Sequence, residues 1–117
     1  MNNYRKGYLF ERKTKLFLED KGFLVIRSPA SKSPYDLLAI KDNLKLFIQC
    51  KKTTKKYLYV YNLEDLIEIS KREKGLPLLV YSFNRTPIYA KLVDDVSVKL
   101  KKDDVHILLA EFIESVV

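Results

Sequence analysis

Residues 34 to 51 decide the fold: Pro34-Tyr35-Asp36, then the apolar runs Leu37-Leu38-Ala39-Ile40 and Leu46-Phe47-Ile48 joined through Asp42-Asn43, then Gln49-Cys50-Lys51. Asp-Asn suits a two-residue hairpin turn, because both residue types tolerate positive φ. With that turn Lys41 pairs with Leu44, and counting outward sets Asp36 opposite Gln49. Cross-strand partners share a face, and alternation adds Lys51 to it while sending Lys52 to the face of Leu46, Ile48 and Cys50. An acid, a neutral oxygen donor and an amine therefore gather at one end of a hairpin. That is the outline of a metal-dependent phosphodiesterase site.

The surrounding composition agrees. A chain of 117 residues buries roughly two thirds of its unfolded surface, which suits one domain spanning 1–117. The net charge is +7 and uneven: residues 1–56 carry 14 basic and 5 acidic side chains, net +9, and residues 57–117 carry 8 and 10, net −2. A basic half that also holds the hairpin fits a polyanionic partner, although solvated surface lysine gives the same count. No long apolar segment or secretory leader points to a membrane. Cys50 is the only cysteine and His106 the only histidine, which rules out an internal disulfide and a Cys/His zinc site.

No linker, repeat or low-complexity tract interrupts the chain. The pattern predicts a helix from about Gly7 to Lys21, closed by Gly22 as a left-handed cap, with Leu9, Phe10, Leu16 and Phe17 as its buried arc. Phe23 to Arg27 reads as a strand and residues 28–34 as a polar loop. The hairpin strands run from Asp36 to Lys41 and from Leu44 to Lys52, and Tyr57 to Tyr61 alternates like a short strand. Asn62 caps a helix reaching about Lys74, with Glu64 and Asp65 favouring its dipole. Pro77 to Phe83 and Pro87 to Leu92 are further strands, and Val105 to Val117 has helical spacing. This α-β-β-β-α-β-β-α order implies an α/β fold with a mixed central sheet flanked by helices.

Individual residues have ordinary as well as functional readings. Glu11 falls beside Leu18 at the edge of the helix's buried arc, where it can face a site or simply favour the helix dipole. Asp36 suits a turn after Pro34, but it also has a partner set by register. Lys52, Lys55 and Lys56 suit phosphate contact or solvent. Cys50 reads as a small core residue. Arg12 and Arg27 are able to clamp a phosphate bidentately or to sit as plain surface arginine.

Gly7-x-x-x-Glu11-Arg12, Lys21-Gly22-Phe23-x-Val25-x-Arg27-x-Pro29-x-Ser31 and the hairpin follow one another in this order. Together they resemble the Pro-Asp…(Asp/Glu)-x-Lys nucleases, and within them the archaeal-type Holliday junction resolvases and their archaeal-virus relatives. The likeness is strong over residues 5–53 and weaker beyond. It implies a restriction-endonuclease-like fold and a structure-specific endonuclease that resolves four-way DNA junctions by paired nicking. It also implies Mg²⁺, with Mn²⁺ as a substitute, held by Glu11, Asp36, Gln49 and the Cys50 backbone carbonyl. Lys51 would then act in catalysis and Ser31 contribute to it, with Ser33 as its near neighbour. Arg12, Arg27, Lys32, Lys52, Lys55 and Lys56 are the implied DNA contacts. Branched double-stranded DNA is the expected partner, in a homodimer located in the cytoplasm (the host's, if viral). Tyr57 to Tyr61 and the helix after them are candidates for the dimer interface or for intramolecular packing.

One residue departs from the resolvase pattern. Gln49 stands where that pattern has Glu, so it offers an oxygen without a charge. Gln-x-Lys also occurs in restriction enzymes of Mrr type. Two alternatives therefore stand beside junction resolution: a nuclease of the same fold acting on flaps, nicks or duplex sites, and a non-catalytic DNA-binding relative.

Overall fold

The computed structural model describes residues 3–29 and 33–117, so Ser31 and Lys32 lie outside the described residues. The chain runs α1 (Asn3–Asp20), β1 (Leu24–Arg27), β2 (Leu37–Lys41), β3 (Leu44–Lys52), β4 (Tyr57–Val60), α2 (Glu64–Arg72) and β5 (Leu76–Ser82). It continues through β6 (Tyr89–Leu92), β7 (Val98–Lys101), β8 (Ile107–Leu108) and α3 (Leu109–Val116). Six strands form one mixed sheet in the order β1-β2-β3-β5-β6-β8, in which only the central β3–β5 pair is parallel. β4 and β7 form a separate antiparallel ribbon.

Period-two alternation divides the sheet into two faces. Leu37, Ala39, Leu46, Ile48, Leu78 and Val80 point toward α1 and α3, whose Phe10, Leu18, Leu109 and Phe112 complete one core. Phe47, Leu79, Tyr81 and Phe83 point the other way, against Leu66 of α2 and Leu58, Val60, Val98 and Leu100 of the ribbon. Both faces of β3 and β5 are covered, as the continuous apolar runs of a central parallel pair require. Among the described residues, no helix is long and apolar enough to cross a membrane.

The hairpin forms with the expected register. Lys41 pairs with Leu44 and Leu37 with Ile48, and Asp42 takes a left-handed φ of 54° in the turn. α1 ends at a left-handed Gly22 (φ 93°), where Phe23 N–H bonds Leu18 carbonyl and Gly22 N–H bonds Glu19 carbonyl. Its buried stripe differs from expectation. Phe10, Thr14 and Leu18 face the sheet, whereas Leu9 and Leu16 are exposed. Thr14 is tolerated there because its hydroxyl donates to the Phe10 carbonyl at 3.0 Å.

Other differences have tertiary causes. α2 starts after Leu63, which is wholly buried and whose N–H bonds Val96 carbonyl. Asn62 is consequently drawn into a left-handed conformation (φ 61°) instead of capping the helix. The predicted helix from Val105 begins only at Leu109, because Ile107 and Leu108 pair with Ala90 and Tyr89 at the sheet edge. β7 was not expected, although Val98 and Leu100 alternate with Lys99 and Lys101 as a half-buried strand should.

At the end of α2 the left-handed residue is Lys74 (φ 58°), and the glycine beside it serves contact instead. A Cβ on Gly75 would lie 2.7 Å from the Phe47 ring and 3.0 Å from the Lys45 carbonyl, whereas one on Gly7 in α1 would meet nothing within 4 Å. Thermal or urea unfolding should accordingly show opposite signs. Gly75→Ala should destabilise by roughly 1–3 kcal/mol through overpacking, and Gly7→Ala should stabilise by about 0.5–1 kcal/mol through helix propensity.

Candidate metal and nuclease site

Asp36 is positioned by both hairpin strands. The ladder stops at Leu37, because Asp36 N–H turns to the Ile48 carbonyl at 2.7 Å, and Asp36 carbonyl accepts from Ser28 N–H at 2.9 Å. The carboxylate then reaches across β3, where its Oδ2 accepts the Cys50 N–H at 2.7 Å. The acid is thus fixed from both ends by backbone, in a place where water is partly excluded. Gln49 and Lys51 flank this anchor on β3, half-buried and exposed respectively.

Glu11 approaches from α1. Its Oε1 accepts from Arg27 Nε at 3.2 Å, and the Arg27 guanidinium lies over the Tyr8 ring at 4.6 Å. Tyr8, Glu11, Arg12, Lys15, Arg27 and Leu37 enclose a cavity of about 150 Å³ beside the pair. Arg27, which the sequence leaves as either a phosphate clamp or a plain surface arginine, has its Nε engaged by Glu11. Tyr8 was not singled out in the sequence, although it lies three residues before Glu11 and so on the same helix face.

The electrostatics of the site favour a cation. Burial raises the Asp36 carboxyl above its ordinary range, against the lowering influence of the Cys50 N–H, Lys51 and Arg27. Burial also raises Glu11, and the Asp36 charge raises it further, while Arg27 and Lys51 oppose the shift. Two carboxylates that each resist ionisation, and that repel each other when both are charged, are stabilised as anions by a positive ion between them. The available donors are carboxylate and amide oxygens, which suit a hard divalent ion. No three His, Cys, Asp or Glu side chains cluster among the described residues, so the acidic contribution is limited to these two. The Cys50 thiol is pushed well above its usual value, first by burial and then by the Asp36 and Glu11 charges. It therefore stays a neutral core group, and its backbone N–H anchors Asp36.

The remaining sequence candidates are dispersed. Lys52 turns to the α1 face and lines a groove of about 380 Å³ with Leu9, Lys13, Ser82 and Asn84. Lys55 sits 6.0 Å from the Tyr57 ring centroid, and the Lys56 carbonyl accepts from Lys102 N–H at 2.7 Å. Ser33 Oγ accepts from Tyr35 N–H at 3.4 Å, a local turn contact. α2 presents Glu64, Asp65, Glu68, Lys71 and Arg72 outward, a charged face unlike an interface core.

The family model described as archaeal Holliday junction resolvase (Hjc) matches residues 2–115. A relative from Methanocaldococcus jannaschii, named crossover junction endodeoxyribonuclease Hjc, is 41% identical over 85 residues, covering 71% of this chain and 63% of that protein's length. The solved structure of Hjc from Archaeoglobus fulgidus, a Holliday junction resolvase, superposes with a TM-score of 0.78 at 20% identity, covering 92% of this chain and 94% of the other. A bacterial homing endonuclease superposes at 0.60 with 12% identity, covering 89% and 81%. These last two establish a restriction-endonuclease-like mixed sheet flanked by helices.

The raised Asp36 carboxyl sets a pH-dependent stability with a definite sign. A carboxyl whose folded pKa lies above its unfolded value of about 3.8 contributes stability when protonated, and loses it as pH rises through the folded pKa. In metal-free buffer at neutral pH, Asp36→Asn should therefore raise Tm by on the order of a few degrees. The difference should vanish near pH 3, where both side chains are neutral. A lower Tm for the variant at neutral pH would show that the ionised acid is stabilising.

Proposed function

Because the chain belongs to the archaeal Holliday junction resolvase family, we propose that it is a structure-specific endonuclease resolving four-way DNA junctions by paired, metal-dependent nicks. The observation that carries this reading is the Asp36 carboxylate held on the Cys50 N–H at 2.7 Å, with Gln49 and Lys51 on either side and Glu11 facing it. A nuclease of this family implies a divalent metal ion. Glu11, Asp36, Gln49 and the Cys50 carbonyl are the groups that would hold it, with Mg²⁺ as the ion and Mn²⁺ as a substitute. Such an ion supplies Lewis-acid polarisation of the phosphate and a bound water of lowered pKa.

The chain's own residues provide the rest. Lys51 places a positive charge near both carboxylates, where it stabilises negative charge developing on the scissile phosphate. Arg27 holds Glu11 in place and keeps further guanidinium donors for a phosphate, and Arg12 lines the same cavity. Ser31, outside the described residues, would contribute to activity as the family resemblance implies, and Lys32, Lys52, Lys55 and Lys56 would add phosphate contacts. The net charge of +9 over residues 1–56 favours the polyanion through counterion release.

Each chain carries one such site, whereas resolution needs two symmetric nicks, so the working form is a two-fold homodimer acting inside the cell. The test uses labelled four-way junction, flap and linear duplex, each with and without Mg²⁺. Wild type should cut the junction in paired fashion, and sedimentation should give twice the chain mass. Asp36→Asn and Lys51→Ala should lose cleavage by at least about a hundredfold, the size expected for removing a transition-state charge contact, while their junction gel shifts stay near wild type. Equal cutting of linear duplex would transfer the assignment to another nuclease of the same fold. Near-normal cleavage by either variant would remove the site itself.

A further inference from the structure

The outward face of the β4–β7 ribbon is unlike the rest of the surface. Leu58 and Val60 point into the core, which leaves Tyr57, Tyr59 and Tyr61 outside with 46%, 49% and 55% of their surface exposed. The Tyr57 and Tyr59 rings stack at 5.2 Å with 29° between planes, and Tyr61 continues the row at 6.4 Å from Tyr59. Opposite them on β7, Lys101 pairs with Tyr57 and Lys99 with Tyr59. Lys99 Nζ lies 5.8 Å from the Tyr59 centroid, and Lys55 Nζ lies 6.0 Å from that of Tyr57. Three flat aromatic faces beside three ammonium groups would be a poor choice for plain solvent exposure, since aromatic rings gain by burial.

Two features indicate what covers this face. The ribbon strands turn no carboxylate outward: the exposed positions are tyrosine on β4 and lysine on β7. The occupant is therefore anionic as well as aromatic. The ribbon also packs over the sheet face that carries Lys51, because Leu58, Val60, Val98 and Leu100 share a core with Leu79 and Tyr81, and Tyr81 pairs with Lys51. Lys52 and Tyr57 are five residues apart, at most about 17 Å along the chain. The Tyr57 end carries Lys55, Lys56, Lys101 and Lys102 against Asp103 and Asp104 and is net basic, whereas Glu64, Asp65, Asp94 and Asp95 flank the Tyr61 end in sequence.

We propose that the outward face of this ribbon binds single-stranded DNA, with unpaired bases stacked on Tyr57 and Tyr59 and phosphates on Lys55, Lys99 and Lys101. Aromatic platforms beside basic side chains bind single strands with little sequence preference, because every base has a π-face. Tyr61 lies at the end where acids outnumber lysines and is left out of this role. Strands that lose pairing near the cleavage site would be captured here. This site goes beyond the cleavage assignment and does not require it.

The test is metal-free titration of labelled oligothymidine with the full chain, followed by anisotropy and by the protein's own emission. The chain has eight tyrosines and no tryptophan, so a base stacked on tyrosine should quench that emission directly. Tyr59→Ala should weaken binding roughly tenfold and Tyr59→Phe should keep the affinity, while Tyr61→Ala should stay within about twofold. Lys99→Gln should flatten the dependence of affinity on salt. All three tyrosines are exposed, and a thermal melt of each variant checks that it folds. Unchanged oligothymidine affinity in Tyr59→Ala would overturn the proposal. So would a Tyr59→Ala variant that sediments at half the wild-type mass with its affinity intact, which would make the face a contact between copies. Neither result bears on Asp36 or Lys51, whose test is metal-dependent junction cleavage.

Discussion

The hydrogen bond from Cys50 N–H to Asp36 Oδ2, 2.7 Å long, joins the fold to its chemistry. It forms because the ladder between β2 and β3 ends one residue before Asp36, leaving a backbone donor on β3 without a strand partner on that side. A carboxylate satisfies such a donor more strongly than a neutral acceptor does. The acid sits in a partly dry position whose burial raises its carboxyl above the ordinary range, while the Cys50 N–H opposes that shift. One bond therefore closes the hairpin end and fixes the position of the acid in the site.

Glu11 depends on that arrangement from the other side. α1 packs on the sheet through Phe10, Thr14 and Leu18, which brings the neighbouring Glu11 to the strand ends. Arg27 at the end of β1 balances it at 3.2 Å. The pair is partly exposed, so its net contribution to stability is small. Its consequence is orientation: Glu11 is held by Arg27 where the Asp36 charge is felt, and Arg27 is kept beside the cavity that Arg12 also lines. The proposed site has only these two carboxylates, so their fixed geometry matters more, Gln49 offering an amide oxygen without charge.

The parts legible in the sequence are those fixed by local chemistry. Asp42-Asn43 set the turn and period two set the register, so the Asp36, Gln49 and Lys51 grouping follows from counting alone. Gly22 marked the end of α1 for the same reason. What stayed hidden depends on distant partners. The Glu11–Arg27 pair needs the relative placement of α1 and β1, and Arg27 read alone is a surface arginine. Leu9 and Leu16 looked buried because an apolar stripe does not reveal which side of it meets the sheet. Ile107 and Leu108 have helical spacing but were taken by the edge of β6. The alternation around Val98 and Leu100 was present yet short, and only its pairing with β4 gives it a core to face.

In the proposed site Gln49 faces a divalent ion beside Asp36, in place of a carboxylate. The direct measurement is the Mg²⁺ concentration giving half-maximal junction cleavage for wild type and for Gln49→Glu. A third negative charge within reach of the ion strengthens its attraction, although desolvation and retained waters reduce the gain. The variant should reach half-maximal cleavage at a lower Mg²⁺ concentration and cut at the same positions. An unchanged Mg²⁺ requirement, or an inactive Gln49→Glu protein, would mean that position 49 does not face the metal.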